Sequence, residues 1–544
     1  MKKALLLLVA LAAIYLTGIA SRDFWYPDEP DMAEITRQMV LSGQWLQLRW
    51  NGAAFADYPP LYFWLTAAAA HLGGWDEFVL RLPTTLAALG LLLLTFLWAQ
   101  RRLGEGAALW SLAVLGTTFL FVYQAVNMHL DMLFALFIAA AVFCYDCGRD
   151  AVARRQRLGL TLATGVLMGL ASLTKGPAGI VLPLGILAVD HLAHREGRAL
   201  KRLAAAGAVA ALFFLAWCCL YWREVGESDL LCFLLKQNVA RFLHGRSHAK
   251  PVFFYFVRIW SDLMPWSLFL LLALPTAWTA GLTASRHAGT KSNRALGLAL
   301  VWFAFIFLFF TISQSKRQVY LLPLYPAAAV LIGHFLAGLR LATARMQRVA
   351  GWVALFLAGL LVLGGVAAAI AVPRLQQQFP EAWGLPYPAG ALVLAAVTIG
   401  LGVGLLTLRG GAAKGLSALA VGSGTLCLIY FGWLLPALDA SLSAERVAMW
   451  LAAQARTGVI GLTSRNEASV LAFYGNVRVE VLDSAAKLRA FAREQPRGLI
   501  VVKVKPGLCP ASYVSAVAGM PVQVLKEFRI GDDRCVAVRL GAAG

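Results

Sequence analysis

Long apolar runs constrain the fold of this chain more than any other feature of its sequence. After Lys2 and Lys3, a first run extends from Ala4 to about Ala20. Further runs of about 18 or more mostly apolar residues recur along most of the chain, and each is long enough to cross a bilayer as a helix. They fall at roughly 81–100, 106–125, 130–147, 158–174, 177–193, 203–222, 259–283, 296–312, 319–339, 349–372, 389–408 and 414–436. The sequence therefore predicts a polytopic α-helical membrane protein of about thirteen transmembrane helices.

Basic residues predict the orientation of these helices. The chain has a net charge of +20, although only 14% of its residues are charged. With a cytoplasmic N-terminus, every cytoplasmic connection is basic, as the positive-inside rule requires. These connections hold Arg101 and Arg102, residues 149–157, 195–202, 286–294 and 340–348, and Arg409 with Lys414. Because the cations are dispersed between apolar helices, no nucleic-acid partner is expected.

The odd number of spans leaves the C-terminal region outside, and its composition is that of a soluble domain. Stretches at 458–463, 477–482, 498–504, 522–528 and 535–540 are predicted as strands, with helices at about 466–474 and 484–494. We therefore divide the chain into a transmembrane domain at 1–436, with outer loops at about 21–80 and 223–258, and a small periplasmic α/β domain at 437–544. Cys509 and Cys535 are candidates for a disulfide, since this domain would face an oxidising compartment.

A short acidic stretch follows the first span directly. Within ten residues it contains Asp28, Glu29, Asp31 and Glu34. Carboxylates beside a membrane are costly unless they are solvated, paired with cations or bound to a metal. Asp28 could simply cap the helix predicted from Asp31, but capping does not require Glu29 beside it. Asp31 and Glu34 are expected to be ordinary charges at a helix start.

The predicted outer face collects further charged residues from separate loops. They are Asp57, Arg81, Asp131, Lys175, Arg241, Arg246, His248, Lys250, Lys316 and Arg317. Cations facing carboxylates suit a reaction in which a phosphate departs and an acceptor is deprotonated. Lys175 could instead satisfy carbonyls at a helix end, and His129 is expected to be an interface residue. No span carries a charge at its centre, which argues against an ion-coupled transporter.

Several of these segments resemble the glycosyltransferase C (GT-C) superfamily, and most closely its branch of protein O-mannosyltransferases and lipid A aminoarabinose transferases. The matching segments are Asp28-Glu29 with Ala33-Glu34, residues 127–132, 173–177 and 238–256, and Ser315-Lys316-Arg317 with residues 320–323. The resemblance covers residues 1–436. One departure is the aminoarabinose transferases' Glu-Lys-Pro-Pro run, which reads Asp57-Tyr58-Pro59-Pro60 here.

The resemblance implies a role for each candidate residue. Asp28 would be the base or acceptor-orienting carboxylate, with Glu29 as support and Asp131 as a second acid. Contacts to the donor phosphate would come from Arg81, Lys175, Arg241, Lys316 and Arg317. Tyr58, Tyr62 and Tyr320 would line the substrate. Asp57 with His248 could hold a divalent metal, Zn or Mg/Mn, and no organic cofactor is expected.

The predicted function is that of a bacterial inner-membrane, inverting glycosyltransferase embedded in the lipid bilayer. It would move a sugar from polyprenyl (undecaprenyl) phosphate to an acceptor at the periplasmic face, with lipid A or another envelope glycolipid as the first candidate. A protein O-glycosyltransferase is the main alternative. A lipid-linked sugar flippase and an envelope scaffold are further alternatives, but the flippase would need polar residues through the span centres.

Overall fold

The structure is a computed structural model of the 544-residue chain. It describes all residues except 26–27, 245–248, 287–289, 379–385, 456–457, 505–508, 531–532 and 542–544. The described residues form two compact units. The first, called the membrane unit, contains Met1–Ser21, Ala56–Tyr62 and Arg81–Ala437. The second, called the loop–sheet unit, contains Arg22–Phe55, Phe63–Leu80 and Leu438–Gly544. The sequence had placed loop 21–80 with the transmembrane domain, whereas most of this loop packs with the C-terminal residues.

Helices make up most of the described chain. They are α1 Lys2–Ile19, α2 Asp28–Ser42, α3 Leu61–Gly73, α4 Glu77–Leu103, α5 Glu105–Thr117, α6 Phe119–Ala125, α7 Asp131–Arg149, α8 Arg154–Lys175, α9 Ala178–Ala193, α10 Gly197–Val225, α11 Glu227–Leu231, α12 Arg241–His244, α13 Phe254–Asp262, α14 Ser267–Arg286, α15 Lys291–Ile312, α16 Tyr325–Gly338, α17 Ala344–Gln378, α18 Pro386–Gly410, α19 Ala412–Ile429, α20 Leu435–Leu442, α21 Glu445–Gln454, α22 Ala468–Gly475, α23 Ala485–Glu494 and α24 Pro510–Ala518. Two π-helices, Cys232–Ala240 and Tyr430–Leu434, and two 3-10 helices, Gln318–Leu324 and Leu339–Leu341, complete the set.

The membrane spans agree with the predicted fold class. Among the described residues, ten helices are long and apolar enough to cross a bilayer, or up to twelve if each bent pair is one span. The bent pairs are α5 with α6 and α13 with α14. The one predicted segment not counted among these spans, residues 177–193, corresponds to α9, a shorter apolar helix of 16 residues. The polytopic helical architecture is therefore confirmed.

Burial distinguishes central spans from peripheral ones. In the span that contains α16, 89% of the apolar window is buried, whereas the values for α17 and α18 are 22% and 17%. Helix α16 packs closely on α5, and a Cβ atom at Gly333 would lie 2.4 Å from the Ser111 Oγ atom. Only glycine permits this close approach of the two helices.

Charged side chains at one end of the membrane unit form buried ion pairs. Asp146 accepts hydrogen bonds from Trp98 Nε1 at 2.9 Å and from Arg102 Nε at 2.7 Å. Arg149, from the next turn of α7, contacts Asp190 of α9. The sequence treated these arginines only as signals of orientation, whereas the structure shows that they also join the ends of three helices, α4, α7 and α9.

The C-terminal part of the loop–sheet unit is a five-stranded mixed sheet. Its strands are β3 Val459–Leu462, β4 Arg478–Val481, β5 Leu499–Lys503, β6 Val522–Ile530 and β7 Asp533–Leu540, in the order β4-β3-β5-β7-β6. Strands β3, β4 and β5 are parallel, while β7 runs antiparallel to β5 and β6. All five predicted strands and both predicted helices are present, and α21 and α24 were not predicted. Cys509 and Cys535 are free cysteines, so the suggested disulfide is wrong.

A tight hairpin in the same unit precedes the membrane unit's Ala56. Strands β1 Arg49–Trp50 and β2 Ala53–Ala54 pair antiparallel through the turn at Asn51 and Gly52. Both turn residues have positive φ, at 51° and 78°, which is the conformation that Asn-Gly hairpin turns favour. The hairpin fixes the position of Trp50.

Candidate active site

Two helix ends bring Asp131 and Lys175 together. Asp131 is the first residue of α7, Lys175 is the last residue of α8, and the Lys175 Nζ atom contacts the Asp131 Oδ1 atom directly. The Asp131 side chain is 1% exposed and that of Lys175 is 14% exposed. The Lys175 Nζ atom also lies 4.6 Å from the ring centroid of Tyr320 and 5.6 Å from that of Phe134. This lysine is therefore a pre-positioned cation in contact with one carboxylate and two aromatic rings.

His129 belongs to the same cluster, although the sequence indicated only an interface residue. It is buried, and its Nδ1 atom lies 2.7 Å from the Asp131 Oδ2 atom. The two-residue spacing between His129 and Asp131 was visible in the sequence. That His129 turns toward Asp131 could be established only from the fold.

Asp57 and Tyr58 lie beside a second cation, Arg241. The Arg241 Nη2 atom is 2.9 Å from the Asp57 Oδ2 atom, and both side chains are about three-quarters buried. Burial raises the pKa of Tyr58 well above its usual value, and the neighbouring Tyr320 and Asp131 add to the rise. The Tyr58 hydroxyl thus keeps its proton and can donate a hydrogen bond.

The segment 313–320 directs Lys316 toward backbone carbonyls and Tyr320 toward Lys175. The Lys316 side chain is buried, and its Nζ atom donates to the Ser313 carbonyl and, at 3.4 Å, to the Lys250 carbonyl. Burial lowers the pKa of Lys316. The Arg317 carbonyl accepts a hydrogen bond of 2.9 Å from the Tyr255 hydroxyl. Lys316 thus stabilises the chain turn from which Tyr320 reaches Lys175.

A cavity of about 530 Å³ joins these residues. Its polar part is formed by Asp57, Tyr58, Lys175, Arg241 and Tyr320. Its wall is largely apolar and includes Phe134, Pro177, Val181, Leu234, Leu235, Phe309 and Phe310. A volume of this size is typical of small-molecule sites. Cations at one part of an apolar cavity suit a ligand with an anionic head and a hydrocarbon chain.

Of the residues predicted to contact the donor phosphate or line the substrate, four do not line this cavity. Ser313 and Ser315 line it, whereas Lys316 and Arg317 do not. The Arg81 side chain is fully buried and donates to the Ile19 carbonyl at 3.1 Å. The Tyr62 hydroxyl is 2.9 Å from the Thr84 Oγ1 atom. The structure thus separates Lys175, Arg241, Tyr58 and Tyr320, which are at the cavity, from Arg81, Lys316, Arg317 and Tyr62, which are not.

Asp28 and Glu29 belong to the loop–sheet unit. Asp28 is the first residue of α2, and its side chain is exposed. Glu29 forms a buried ion pair with Arg22, with 2.7 Å between the Glu29 Oε2 and Arg22 Nη1 atoms. A buried partner of this kind fixes the start of the helix. Of the two adjacent acids, Asp28 is accessible and Glu29 supports its position.

Contacts with the C-terminal residues hold the chain on both sides of Asp28. On one side, the Phe24 N–H donates to the Tyr474 hydroxyl at 2.6 Å, and Trp25 Nε1 donates to Asp439 at 2.6 Å. On the other side, Trp50 Nε1 donates to Asp31 at 3.0 Å. The C-terminal domain thus determines where the acidic segment lies.

The expectation that Asp31 and Glu34 are ordinary helix-start charges is wrong. Burial raises the pKa of Asp31 to about 6, and the charge of Asp28 adds to the rise, against the hydrogen bonds from Ser469 and Trp50. Glu34 is 1% exposed and accepts two hydrogen bonds from Arg37, of 2.7 and 2.9 Å. Both carboxylates are part of the packing of α2.

Of the two residues predicted to hold a metal, the structure describes only Asp57. The Asp57 carboxylate is already paired with Arg241, and His248 lies outside the described residues. Within the described ranges, no group of three or more His, Cys, Asp or Glu side chains is placed to hold a metal ion.

Comparisons with known proteins identify relatives of the membrane region. Residues 1–231 match the family model described as dolichyl-phosphate-mannose-protein mannosyltransferase. A protein of Aquifex aeolicus named only as uncharacterized is 31% identical over 337 residues, which cover 62% of this chain and 64% of that protein. The undecaprenyl phosphate-alpha-4-amino-4-deoxy-L-arabinose arabinosyl transferase 1 of Pseudomonas fluorescens is 27% identical over 333 residues, 60% of this chain and 56% of that one. This chain therefore matches less than two thirds of the length of either relative.

Solved structures of ArnT from Cupriavidus metallidurans share the fold. The apo structure has a TM-score of 0.77 at 24% identity, and the structure bound to undecaprenyl phosphate has a TM-score of 0.76 at 23% identity. Each comparison covers 98% of this chain and 97% of the ArnT chain. The predicted fold class is confirmed by these structures, and the predicted resemblance agrees with the family model and the arabinosyl transferase to which the chain is similar.

Proposed function

We propose that this chain is a member of the ArnT-like branch of the GT-C superfamily and that it is an integral-membrane glycosyltransferase. It moves a sugar from a polyprenyl phosphate donor to an acceptor at the outer face of the membrane. The observation that carries the proposal is the cavity of about 530 Å³ with Lys175 and Arg241 beside an apolar wall. The undecaprenyl phosphate bound in the structure of Cupriavidus ArnT supports a lipid phosphate as its ligand.

Different cavity residues contact the phosphate and the polyprenyl chain of the donor. Lys175 and Arg241 provide cations for the phosphate, and charge-assisted hydrogen bonds of this type are about twice as strong as neutral ones. The Tyr58 hydroxyl provides a further donor without adding charge. The apolar wall receives the part of the polyprenyl chain next to the phosphate. Because Lys175 is held by Asp131, its ammonium group is already oriented before the donor binds.

The reaction breaks the bond between the sugar's anomeric carbon and the phosphate oxygen. The bonding electrons go to that oxygen, so polyprenyl phosphate departs as an anion, which the nearby cations stabilise. The acceptor hydroxyl oxygen forms the new bond to the anomeric carbon, and its proton goes to the Asp28 carboxylate. Asp131 is paired with Lys175 and His129, so it positions the cation and does not serve as the base.

Envelope glycolipids, lipid A among them, are the proposed acceptors. This choice is supported by the arabinosyl transferase named among the relatives. A protein hydroxyl is the second candidate, because the matching family model describes protein mannosyltransferases. The basic connections between the spans support a location in the bacterial inner membrane, with a cytoplasmic N-terminus and a periplasmic loop–sheet unit.

A divalent metal at Asp57 is a separate proposal. This carboxylate would contribute one oxygen ligand, but its pairing with Arg241 leaves little negative charge for a cation. None of the steps described above is assigned to a metal. Treating the purified protein with a chelator and measuring transfer before and after metal addition tests this proposal.

The experiment that tests the proposed function is the release of polyprenyl phosphate by purified protein given a polyprenyl-phosphate sugar and lipid A. We expect Asp28→Ala to abolish release while the protein still inserts and binds donor. Glu494→Ala, which removes an exposed carboxylate elsewhere in the loop–sheet unit, is the matched control and should retain activity. A fully active Asp28→Ala protein would contradict the role of Asp28 as base, and transport of intact donor without release would favour a flippase.

A further inference from the structure

A second cavity, of about 770 Å³, lies entirely within the loop–sheet unit. Helix α2 contributes Glu34, Arg37 and Gln38, and the hairpin turn contributes Asn51. The opposite wall comes from the C-terminal domain, with Arg465, Asn476, Arg478, Glu480, Asp483 and Lys487. We call this cavity the α2 cleft. Its lining is polar and charged, in contrast to the apolar wall of the cavity in the membrane unit.

Most charges in the α2 cleft are already compensated. Arg37 pairs with Glu34, the Arg478 Nη2 atom lies 3.1 Å from the Glu480 Oε1 atom, and the Lys487 Nζ atom lies 2.8 Å from the Asp483 Oδ1 atom. Four cations therefore face three carboxylates. Among the lining residues the additional cation is Arg465, whose charge also acts on the Asp31 carboxylate of α2.

Arg465 is held in place without using its hydrogen-bond donors. Its guanidinium carbon lies 4.2 Å from the centroid of the Trp50 ring. The Trp50 ring is itself fixed, because its Nε1 atom donates to Asp31 at 3.0 Å and to Ser469 at 2.8 Å. Among the described residues, no hydrogen bond or ion pair engages the Arg465 guanidinium. A stacked guanidinium with unengaged donors is prepared to bind an oxyanion such as a phosphate.

The remaining lining favours a ligand rich in hydroxyl groups. The amide side chains of Gln38, Asn51 and Asn476 supply both hydrogen-bond donors and acceptors. The apolar side chains in the lining are small ones of alanine and valine, which offer little surface for a hydrocarbon chain. Three carboxylates disfavour a polyanion such as nucleic acid. One unengaged cation among amides and carboxylates suits a saccharide that carries a single phosphate group.

We propose that the α2 cleft binds the phosphorylated saccharide portion of the acceptor. The inference rests on the proposed function, because it assigns the acceptor side of the same reaction. Helix α2 connects the cleft with the proposed base. The helix begins at Asp28, and Gln38 of the cleft lies ten residues further along it. At a rise of about 1.5 Å per residue, the two positions are about 15 Å apart. A headgroup held in the cleft would thus be carried on the same rigid element as the proposed base.

Binding of glucosamine 1-phosphate to the full-length protein in detergent, measured by calorimetry without donor, tests the proposal. Inorganic phosphate and glucosamine are the two comparison ligands, and both should bind more weakly than the sugar phosphate. Arg465→Met keeps the contact with Trp50 but removes the donors, and it should weaken binding about 10- to 100-fold. Arg465→Lys keeps the charge without the planar fork and should have an intermediate effect. Arg529→Met, an exposed arginine outside the cleft, is the matched control and should bind as wild type does.

The outcomes separate this proposal from the proposed function. Wild-type binding by Arg465→Met, or equal binding of inorganic phosphate and the sugar phosphate, would overturn the assignment of the α2 cleft. Asp28→Ala should bind the sugar phosphate normally even though transfer is lost. In the transfer assay, Arg465→Met should raise KM for the acceptor and leave kcat nearly unchanged, whereas a general loss of structure would lower kcat as well.

Discussion

Replacing Lys175 tests whether its ammonium group binds the donor or only neutralises Asp131. Lys175→Met removes the charge beside the cavity and keeps a side chain of similar length. A hydrogen bond to a charged group contributes about 1.5 to 3 kcal/mol. We therefore expect the affinity for polyprenyl phosphate to fall about 10- to 150-fold, as measured by binding of labelled lipid to the purified protein.

The same substitution should also lower stability. It leaves the Asp131 carboxylate, 1% exposed, with the His129 imidazole at 2.7 Å as its remaining side-chain partner. Breaking a buried ion pair by removing one member costs about 3 to 5 kcal/mol. The melting temperature of Lys175→Met should fall accordingly. Lys291→Met provides the control, because Lys291 is 75% exposed and its pair with Asp150 is loose, at 3.7 Å.

The double variant Asp131→Asn/Lys175→Met separates the two effects. Removing both charges leaves no uncompensated carboxylate, so much of the lost stability should return. Donor affinity should remain low, since the ammonium group is still absent. If the double variant regained both stability and donor binding, the role of Lys175 would be structural, and the assignment of a phosphate contact would be refuted.

Three further predictions concern other parts of the chain. Asp146→Asn should lower the melting temperature and cost less than the about 3 to 5 kcal/mol of a fully broken buried ion pair, because Arg102 loses Asp146 but keeps Asp150, and an unchanged melting temperature would contradict this. The pKa of Asp31 is raised from 3.8 to about 6 in the folded protein, so the folded state binds the extra proton and stability should fall as pH rises from about 4 to 6, by roughly 3 kcal/mol at most. Melting temperatures of Asp31→Asn should lack this decrease. A membrane-impermeant maleimide should label the exposed Cys509 from the periplasmic side, and labelling that requires a permeabilised membrane would reverse the proposed orientation.

Local patterns in the sequence predicted the elements of the fold well. The spans follow from the length of apolar runs, and the strands from short β-branched runs between turn residues. The position of Lys175 beside a helix-ending Gly-Pro also placed it at a helix terminus on the same face as Asp131. These signals lie within a few residues of one another, so they can be read without knowledge of the fold.

Contacts between distant residues could not be predicted in the same way. Arg241 and Asp57 are separated by 184 positions, and Trp50 and Ser469 by 419. Nothing in the sequence indicates that Lys316 lies among carbonyls while Lys175 lies at a cavity, since both are lysines that follow a serine or threonine. Burial decides the difference, and burial depends on how the helices pack.

The loop–sheet unit combines segments from the two ends of the chain, and this has a consequence for biosynthesis. The Asp23 N–H donates to Asp439, 416 positions later, so the acidic segment obtains its final contacts only after nearly the whole membrane unit has been translated. At about 5 to 20 residues per second, Asp439 is synthesised about 20 to 80 s after Asp23. During that time α2 has no partner in the C-terminal domain, and Asp28 is not yet held in place. A ribosome-bound or prematurely terminated chain therefore lacks these contacts, and the proposed role of Asp28 predicts that such a chain is inactive.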